Sequence, residues 1–554
     1  MRNLEIKRLD HHGLVMSVIK DIKLIETIDQ AVGTYEDEKL SVGQRVAAMV
    51  VNGLGFTDQP LSLVNEFYRD LPVDALFGEG LTCDDFDRFS LSRALDRCHN
   101  YGIEPLFSQV AATACQLSNV NQTAQSFDTT TFSFHGDYDE EYDEGTVRVT
   151  HGYSKDHRSD LKQVITELLV SHDSGVPLCL KNCDGNASDS IIFKERSEQL
   201  IESFKDGYVS HVTADSKFYT KQNALNWHIV KFTTRVPETI KEAKTLIQTA
   251  NEENDWHMSS DGKTRFTSYD ITHYEIEQRW LVCQSNESLK RAEKAVDKQL
   301  LKERDLIRKE VLHFESKVFS CQADCEKAAD IFGKKWKLHT KLLTDITEHA
   351  KYDGAGHPSG KTPIGYQYKA KVQWGKNTAA VQQLLHRKAS FVLATNTPEL
   401  EIADEEIVAC YKQQQWVERG YRFLKDPLFF ANGFYLKKPS RISALIMIMT
   451  LSLLVYTIAQ KRLREAMKKK NVMLPNQIGK PVPSMTIRRA FQVLQGIHFV
   501  KTKDFESGFI EGFRPLQEQI IELIGGSAIS MYQIELPPDN EPMDSGKASK
   551  EMAT

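Results

Sequence analysis

The stretch Tyr411–Lys425, YKQQQWVERGYRFLK, decides how the rest of the chain is read. It lacks Pro, and its single Gly lies inside a run of good helix formers, so it is expected to be helical. On one helix Tyr411, Gln414, Glu418, Arg422 and Lys425 share a face. A lone carboxylate among phenol, amide and cation is an odd stripe to bury. It suits a face that meets a phosphate backbone and a metal ion. The plainer alternative is a solvated i,i+4 ion pair between Glu418 and Arg422, of a kind common on helix surfaces.

Two other acids stand out from their surroundings. Asp128 lies in SFDTTTF, where Thr, Ser and Phe alternate as in a strand, and Asp215 ends a second strand-like run, VTADSKFY. Strands tend to exclude Asp, so an Asp embedded in each asks for a reason. Each could simply serve a turn. Taken together, adjacent strand tips can present two Asp side chains side by side, and a helix packed on the sheet can add Glu418. Three carboxylates without His or Cys form a hard-oxygen donor set, suited to Mg²⁺ or Mn²⁺ and not to zinc. Two such ions about 3.5–4 Å apart clamp the attacking and leaving oxygens of a phosphoryl displacement.

These blocks resemble the bacterial insertion-sequence transposases of the Asp-Asp-Glu type, in the insertion-sequence-four branch. That branch carries Tyr-x2-Arg-x3-Glu-x6-Lys around its glutamate. Here the spacing holds as Tyr411, Gln414, Glu418 and Lys425, with Gln414 in place of the usual Arg. FDTTTFSFHG, THGYSKDHRSDLKQV, DGNASD and TADSKFY also resemble strand blocks of the long-chain members, in the same order. The resemblance implies an α/β fold with a ribonuclease-H-like core and a mixed sheet. It implies Asp128, Asp215 and Glu418 as catalytic ligands of two Mg²⁺ or Mn²⁺ ions. Water would cut one strand at each end of the element, and the freed 3′-hydroxyl would attack a second phosphodiester. The partners implied are double-stranded DNA, as transposon ends and as target, and a second copy of the chain in the DNA complex. Tyr411, Gln414, Trp416, Arg422 and Lys425 are the expected DNA contacts. Lys425 and Arg422 would neutralise phosphates and Trp416 would stack on an unpaired base, although a helical Trp is more often core. A catalytically silent DNA-binding descendant is the alternative, and the Gln414 departure is its support.

Around this centre, residues 1–120 read as a mostly helical domain that could touch DNA, with Lys7, Arg8, His11, His12, Arg69, Arg88, Arg93 and Arg97 scattered through it. Residues 121–230 read as the first part of the core. TVRVTHGYSKDH is expected as a strand, LKQVITELLVSHDSGVPLCLK as a strand with a hairpin at Asp173, and IIFKERSEQLIESFKD as a helix. Residues 231–390 read as an insertion domain, with WLVCQSNESLKRAEKAVDKQLLKERDLIRKEVLHFESKVFS taken whole as charged helix. Residues 391–470 complete the core, 471–537 form a C-terminal region, and the polar tail 538–554 is expected to be disordered.

Composition permits this reading without demanding it. The chain is 41% hydrophobic and 26% charged with a net charge of −6, so any basic surface must be local. The segment from Lys461 to Lys470, with Lys437, Lys438 and Arg441, could be such a surface. Nine scattered Cys and a start without an apolar leader fit reduced thiols in a bacterial cytoplasm. The two C-x3-C pairs lack a second pair at zinc-site spacing. The apolar run 442–459 has the length of a membrane span, but Ser and Thr dilute it and no other segment resembles one, so a buried helix is expected.

Overall fold

The computed structural model describes residues 4–35, 38–56, 63–138, 145–188, 192, 211–221, 223, 231–353, 360, 362–426, 436–502 and 505–534. Down the chain, β1 (Glu5–Arg8) leads into seven helices: α1 (His12–Asp21), α2 (Leu24–Val32), α3 (Val42–Leu54), α4 (Val64–Arg69), α5 (Val73–Phe77), α6 (Arg88–Tyr101) and α7 (Ile103–Leu117). Strands β2 (Ala124–Phe134), β3 (Lys162–Ser171), β4 (Pro177–Cys183), β5 (His211–Ala214) and β6 (Lys231–Arg235) follow. Then come α8 (Lys241–Glu253), β7 (His257–Met258), β8 (Thr264–His273), β9 (Ile276–Ser285), α9 (Asn286–Glu315), α10 (Gln322–Ile331), β10 (His339–Lys351), β11 (Gly365–Lys376), α11 (Thr378–Ala389) and β12 (Ser390–Thr395). The last part holds α12 (Asp404–Gln413), α13 (Gln415–Leu424), α14 (Pro439–Lys469), β13 (Leu474–Pro475), β14 (Pro481–Val482), α15 (Ile487–Val493), β15 (His498–Thr502), β16 (Phe505–Glu511), α16 (Pro515–Ile524) and α17 (Ser527–Met531).

The chain divides into two compact units. The first draws on Met1–Asp215, Ile229–Lys231 and Cys410–Thr554. Its strands run in the order β4-β3-β2-β5, with β3 antiparallel to both β2 and β4, and β2 parallel to β5. That is a mixed α/β arrangement. The hairpin expected at Asp173 joins β3 to β4 through Ser171–Val176, where Gly175 takes a positive φ. The amino-terminal helices belong to this same unit, and β1 pairs with β15 from near the other end of the chain.

The centre of the first unit is α14. It is long and apolar enough to cross a membrane by length and composition, yet 89% of its apolar window is buried inside the folded chain. Its Thr450 and Ser452 hydroxyls donate to carbonyls one turn back, at 2.9 and 3.0 Å, so these polar groups are satisfied within the helix. Helices α1, α3, α6 and α7 and strand β4 pack around it. A helix apolar on every side needs such a jacket.

The second unit comprises Ser216–His228 and Phe232–Ala409. Its strands run β6-β12-β9-β8-β7, and β10 and β11 form a separate antiparallel ribbon. Here the structure corrects one expectation. Trp280, Leu281, Val282 and Cys283 are not helix but the middle of β9, fully buried and paired on both sides, with β8 and with β12. A short apolar run joined to a charged helix reads the same for either state until pairing is known, and flanking strands on both edges settle it here. The charged helix starts only at Asn286, capped by Ser285.

A second correction concerns TVRVTHGYSKDH, expected as a strand. Only Thr150 bridges a neighbour, Gln163, and the rest is irregular. The reason is a backbone crossing. A Cβ on Gly152 would lie 2.0 Å from the Gly185 carbonyl oxygen, so the chain passes there only because both positions lack a side chain. The expected helix over IIFKERSEQLIESFKD and the tail 538–554 lie outside the described residues.

Candidate active site

The site is built on the first unit from two strands and one helix. The parallel β2–β5 ladder pairs Ala124 with His211, Gln125 with Val212 and Ser126 with Thr213. Asp128 follows Ser126 by two residues within β2, and Asp215 follows Thr213 by two, one residue beyond the end of β5. Neighbouring strands lie about 4.8 Å apart, so the ladder holds the two segments that carry the aspartates side by side as far as Ser126 and Thr213.

The face that Asp128 uses follows from its partner. Asp128 stands across from Leu168 on β3, and cross-strand partners project to the same side. Leu168 faces α13, because a Cβ on Gly420 would sit 3.6 Å from its side chain and 3.1 Å from that of Leu453 on α14. Asp128 therefore shares the face of the sheet that carries α13. Val417, Gly420, Tyr421 and Leu424 form the buried stripe of α13, which packs on β2 and β3. The Tyr421 hydroxyl donates to the main-chain carbonyl of Asp128 at 2.6 Å. Glu418 lies three residues before Tyr421, about 4.5 Å along the axis, and is exposed.

The expected single helix over Tyr411–Lys425 is interrupted. Tyr411 belongs to α12, Gln414 is the residue before α13, and the amide of Gln414 donates to the carbonyl of Tyr411, three residues back, at 3.1 Å. This tighter turn takes Tyr411 and Gln414 out of strict register with the stripe; Glu418, Arg422 and Lys425 keep it. Gln414 is buried and Tyr411 half-buried. Arg422 is exposed. Trp416 is half-buried: it lies against Gly175 in the β3–β4 turn, and the Arg419 guanidinium stands 5.0 Å from its ring centroid.

Two residues of the block THGYSKDHRSD, Lys155 and Asp156, complete the surroundings. Lys155 donates to the carbonyl and hydroxyl of Thr129, and its ammonium lies 3.8 Å from the Asp128 carboxylate. Asp156 accepts from Lys425 at 2.9 and 2.7 Å. Both sit in THGYSKDHRSD, whose density of charge was the available signal. His151 and His157 of the same block join no metal-holding cluster, and among the described residues no three His, Cys, Asp or Glu side chains are gathered as one. The three acids thus share a frame of two strands and a helix, while their carboxylates are not drawn to a point. Their chemistry, all oxygen and all anionic, is that of a site for hard divalent ions.

Part of the basic segment is structural. Arg441 holds Asp96 on α6 with two hydrogen bonds of 2.7 Å, Lys461 is buried beside Asp173 at 3.0 Å, and Arg462 pairs with Asp21. Arg441 and Arg462 tie α14 to α6 and α1, and Lys461 ties it to the β3–β4 turn, while Lys437, Lys438, Lys468, Lys469 and Lys470 are exposed. His11 and His12 are likewise core, with stacked rings 4.4 Å apart, and burial lowers the pKa of both.

Residues 122–455, more than half of the chain, match the family described as the Transposase DDE domain. The chain belongs to that transposase family. The matched span contains β2, β5 and α13, and with them Asp128, Asp215 and Glu418. In this transposase residues 4–112 match a Domain of unknown function (DUF4277). No curated protein matches it. One similar solved structure is a piggyBac transposase synaptic complex with hairpin DNA, at 10% identity over 80% of this chain and 74% of that one. The TM-score is 0.32, too slight a likeness to argue from.

Proposed function

We propose that this transposase belongs to the insertion-sequence-four-like branch of bacteria, has a ribonuclease-H-like core, and moves its own element. It binds the terminal inverted repeats, cleaves a strand at each end, and joins the freed 3′-hydroxyl to a second phosphodiester. Asp128, Asp215 and Glu418 hold two Mg²⁺ or Mn²⁺ ions. When bound, such ions supply Lewis-acid stabilisation of the attacking and leaving oxygens. The observation that supports this reading is the parallel β2–β5 ladder, which Asp128 and Asp215 each follow by two residues, with the helix that bears Glu418 packed on β2.

The other residues take roles suited to their positions. Tyr421 fixes the backbone of Asp128 against α13. Arg422, exposed one turn beyond Glu418, and Lys425 neutralise phosphates beside the cut. Tyr411 and Gln414 steady the entry to α13, and Trp416 borders the same edge. The working assembly is two copies on paired double-stranded ends, in the bacterial cytoplasm.

The test is a nicking and joining assay on duplexes that carry the element's own ends. Asp128→Asn, Asp215→Asn and Glu418→Gln are expected to fold and to bind the ends while losing cleavage in both Mg²⁺ and Mn²⁺. Cleavage at the wild-type rate by any one of them removes that residue from the ligand set. A second reading, a silent DNA-binding descendant, draws on Gln414. It stands where relatives in the branch carry Arg, and it is buried, so it offers no exposed cation at that turn. Wild-type protein that binds the ends but never cuts them favours that reading.

A further inference from the structure

The loop between Thr150 and Lys162 is pinned at its centre by Ser154. The buried Ser154 hydroxyl accepts from the amides of Asp156 and Arg158 at 3.3 and 3.2 Å, and the Ser154 carbonyl accepts from the amide of His157. Gln163 ties the loop further, donating to the carbonyls of Tyr153 and Gly185. The result is a rigid turn that presents two adjacent residues of opposite charge to two different parts of the site. Lys155 reaches β2 and stands beside Asp128; Asp156 reaches the end of α13 and takes Lys425 in two hydrogen bonds.

Each half of this dipeptide matches the ligand its partner is suited to receive. An ammonium 3.8 Å from a carboxylate supplies the positive charge that a divalent ion would bring there. A carboxylate that accepts twice from a lysine supplies the pair of oxygens that a phosphate would bring. All four side chains are a fifth to two-fifths exposed, so the pairs are open to exchange and not sealed in the core.

We propose that Lys155 and Asp156 are a placeholder pair of positioning residues: Lys155 holds Asp128 until a divalent cation replaces it, and Asp156 holds Lys425 until a DNA phosphate replaces it. This rests on the transposase reading above. It makes ion uptake at Asp128 a competition with Lys155, and backbone binding at Lys425 a competition with Asp156. The dipeptide keeps like charges from facing one another in the free protein, and orients both side chains beforehand.

The full-length protein is titrated with Mn²⁺, with the free ion followed by its electron paramagnetic resonance signal. Lys155→Met is expected to raise Mn²⁺ affinity about two- to fivefold, the weight of one exposed charge pair. Lys155→Arg, which keeps the charge, is expected to stay near wild type. In an Asp128→Asn background, Lys155→Met is expected to change nothing. Should Lys155→Met not fold, Lys155→Gln carries the same expectation. For the second half, Asp156→Asn is expected to tighten binding of a short duplex about two- to fivefold at one salt concentration, and to do nothing of the kind in a Lys425→Met background.

Mn²⁺ affinity that is unmoved or weakened by Lys155→Met, or duplex affinity unmoved or weakened by Asp156→Asn, overturns the corresponding half. Wild-type protein that takes up neither Mn²⁺ nor duplex defeats the transposase reading and this proposal together. Wild-type binding with unresponsive variants defeats this proposal alone.

Discussion

The hydroxyl of Tyr421 meets the carbonyl oxygen of Asp128 at 2.6 Å, with the Thr166 carbonyl a second acceptor at 3.4 Å. A helix residue thereby grips the backbone of the strand residue expected to bind metal. Tyr421→Phe keeps the ring and removes the grip. A buried hydrogen bond of this kind contributes about 1 kcal/mol, so unfolding free energy should fall by roughly that amount. The effect on strand cleavage should be larger, about tenfold, because small misplacements of catalytic groups cost more than the bond that held them. Urea denaturation and single-turnover nicking on the same preparations separate the two; equal losses in both would make Tyr421 an ordinary core residue.

Gly420 is the close-approach point between α13 and its bed. A Cβ there meets only side-chain ends, Leu453 at 3.1 Å and Leu168 at 3.6 Å. Gly420→Ala should therefore stay within about 1 kcal/mol of wild type, since the helix propensity gained, about 1 kcal/mol, offsets the crowding. Gly420→Leu should cost about 1–3 kcal/mol by overpacking and lift α13 from β3, which reduces cleavage as well. Thermal unfolding and nicking measured across Gly, Ala and Leu check the order; a Leu variant as active as wild type would show that α13 need not sit this close.

How much of this could be read from the sequence depends on how local each signal is. Asp128 and Asp215 were legible because acid residues interrupt strand patterns, and the buried nature of α14 was legible from its Ser and Thr content. The parallel ladder that both Asp follow by two residues was not, since it depends on where β5 lands after a long connection. Trp280–Cys283 misled because a buried central strand lacks the period-2 signature that a half-buried one shows. The 461–470 segment divides in a way its composition does not show: Lys461 and Arg462 have acids from distant parts of the chain, Asp173 and Asp21, against them, while Lys468, Lys469 and Lys470 are exposed. Lys155 and Asp156 lie in a block dense in charge, but only the folded chain shows that one faces β2 and the other α13.

Arg441 offers a direct check on that last distinction. Its guanidinium meets Asp96 in a two-point contact, and the charge-assisted bonds raise the pKa of the arginine. Both side chains are about a quarter to a third exposed, so water and salt screen the pair. Arg441→Met should cost about 1 kcal/mol of stability, and Asp96→Asn a similar amount. Neither should alter the salt dependence of DNA binding, whereas Arg422→Ala should weaken binding and flatten the salt slope by about one contact. A slope flattened by Arg441→Met would return that residue to the DNA face.

The sheet carries its own sensitivity to acid. His172 and His211 lie at the β2–β5 end of the first unit; burial pushes each pKa down to about 4 from an ordinary 6.5, with Lys231 and His172 adding to the shift of His211. The Ser126 hydroxyl lies 2.7 Å from Nε2 of His172. A group whose folded pKa is depressed takes up its proton more readily when unfolded. The unfolded chain therefore gains protons first as pH falls below about 6.5, and stability is lost between there and about 4. Each histidine contributes up to about 3 kcal/mol of that loss, at 1.36 kcal/mol per pKa unit. Urea unfolding measured from pH 7 to 4.5 should show a steep fall. His172→Gln should lower stability at pH 7, where the neutral imidazole is well placed, and should flatten the slope below pH 6. An undiminished slope in that variant would assign the acid sensitivity to other groups.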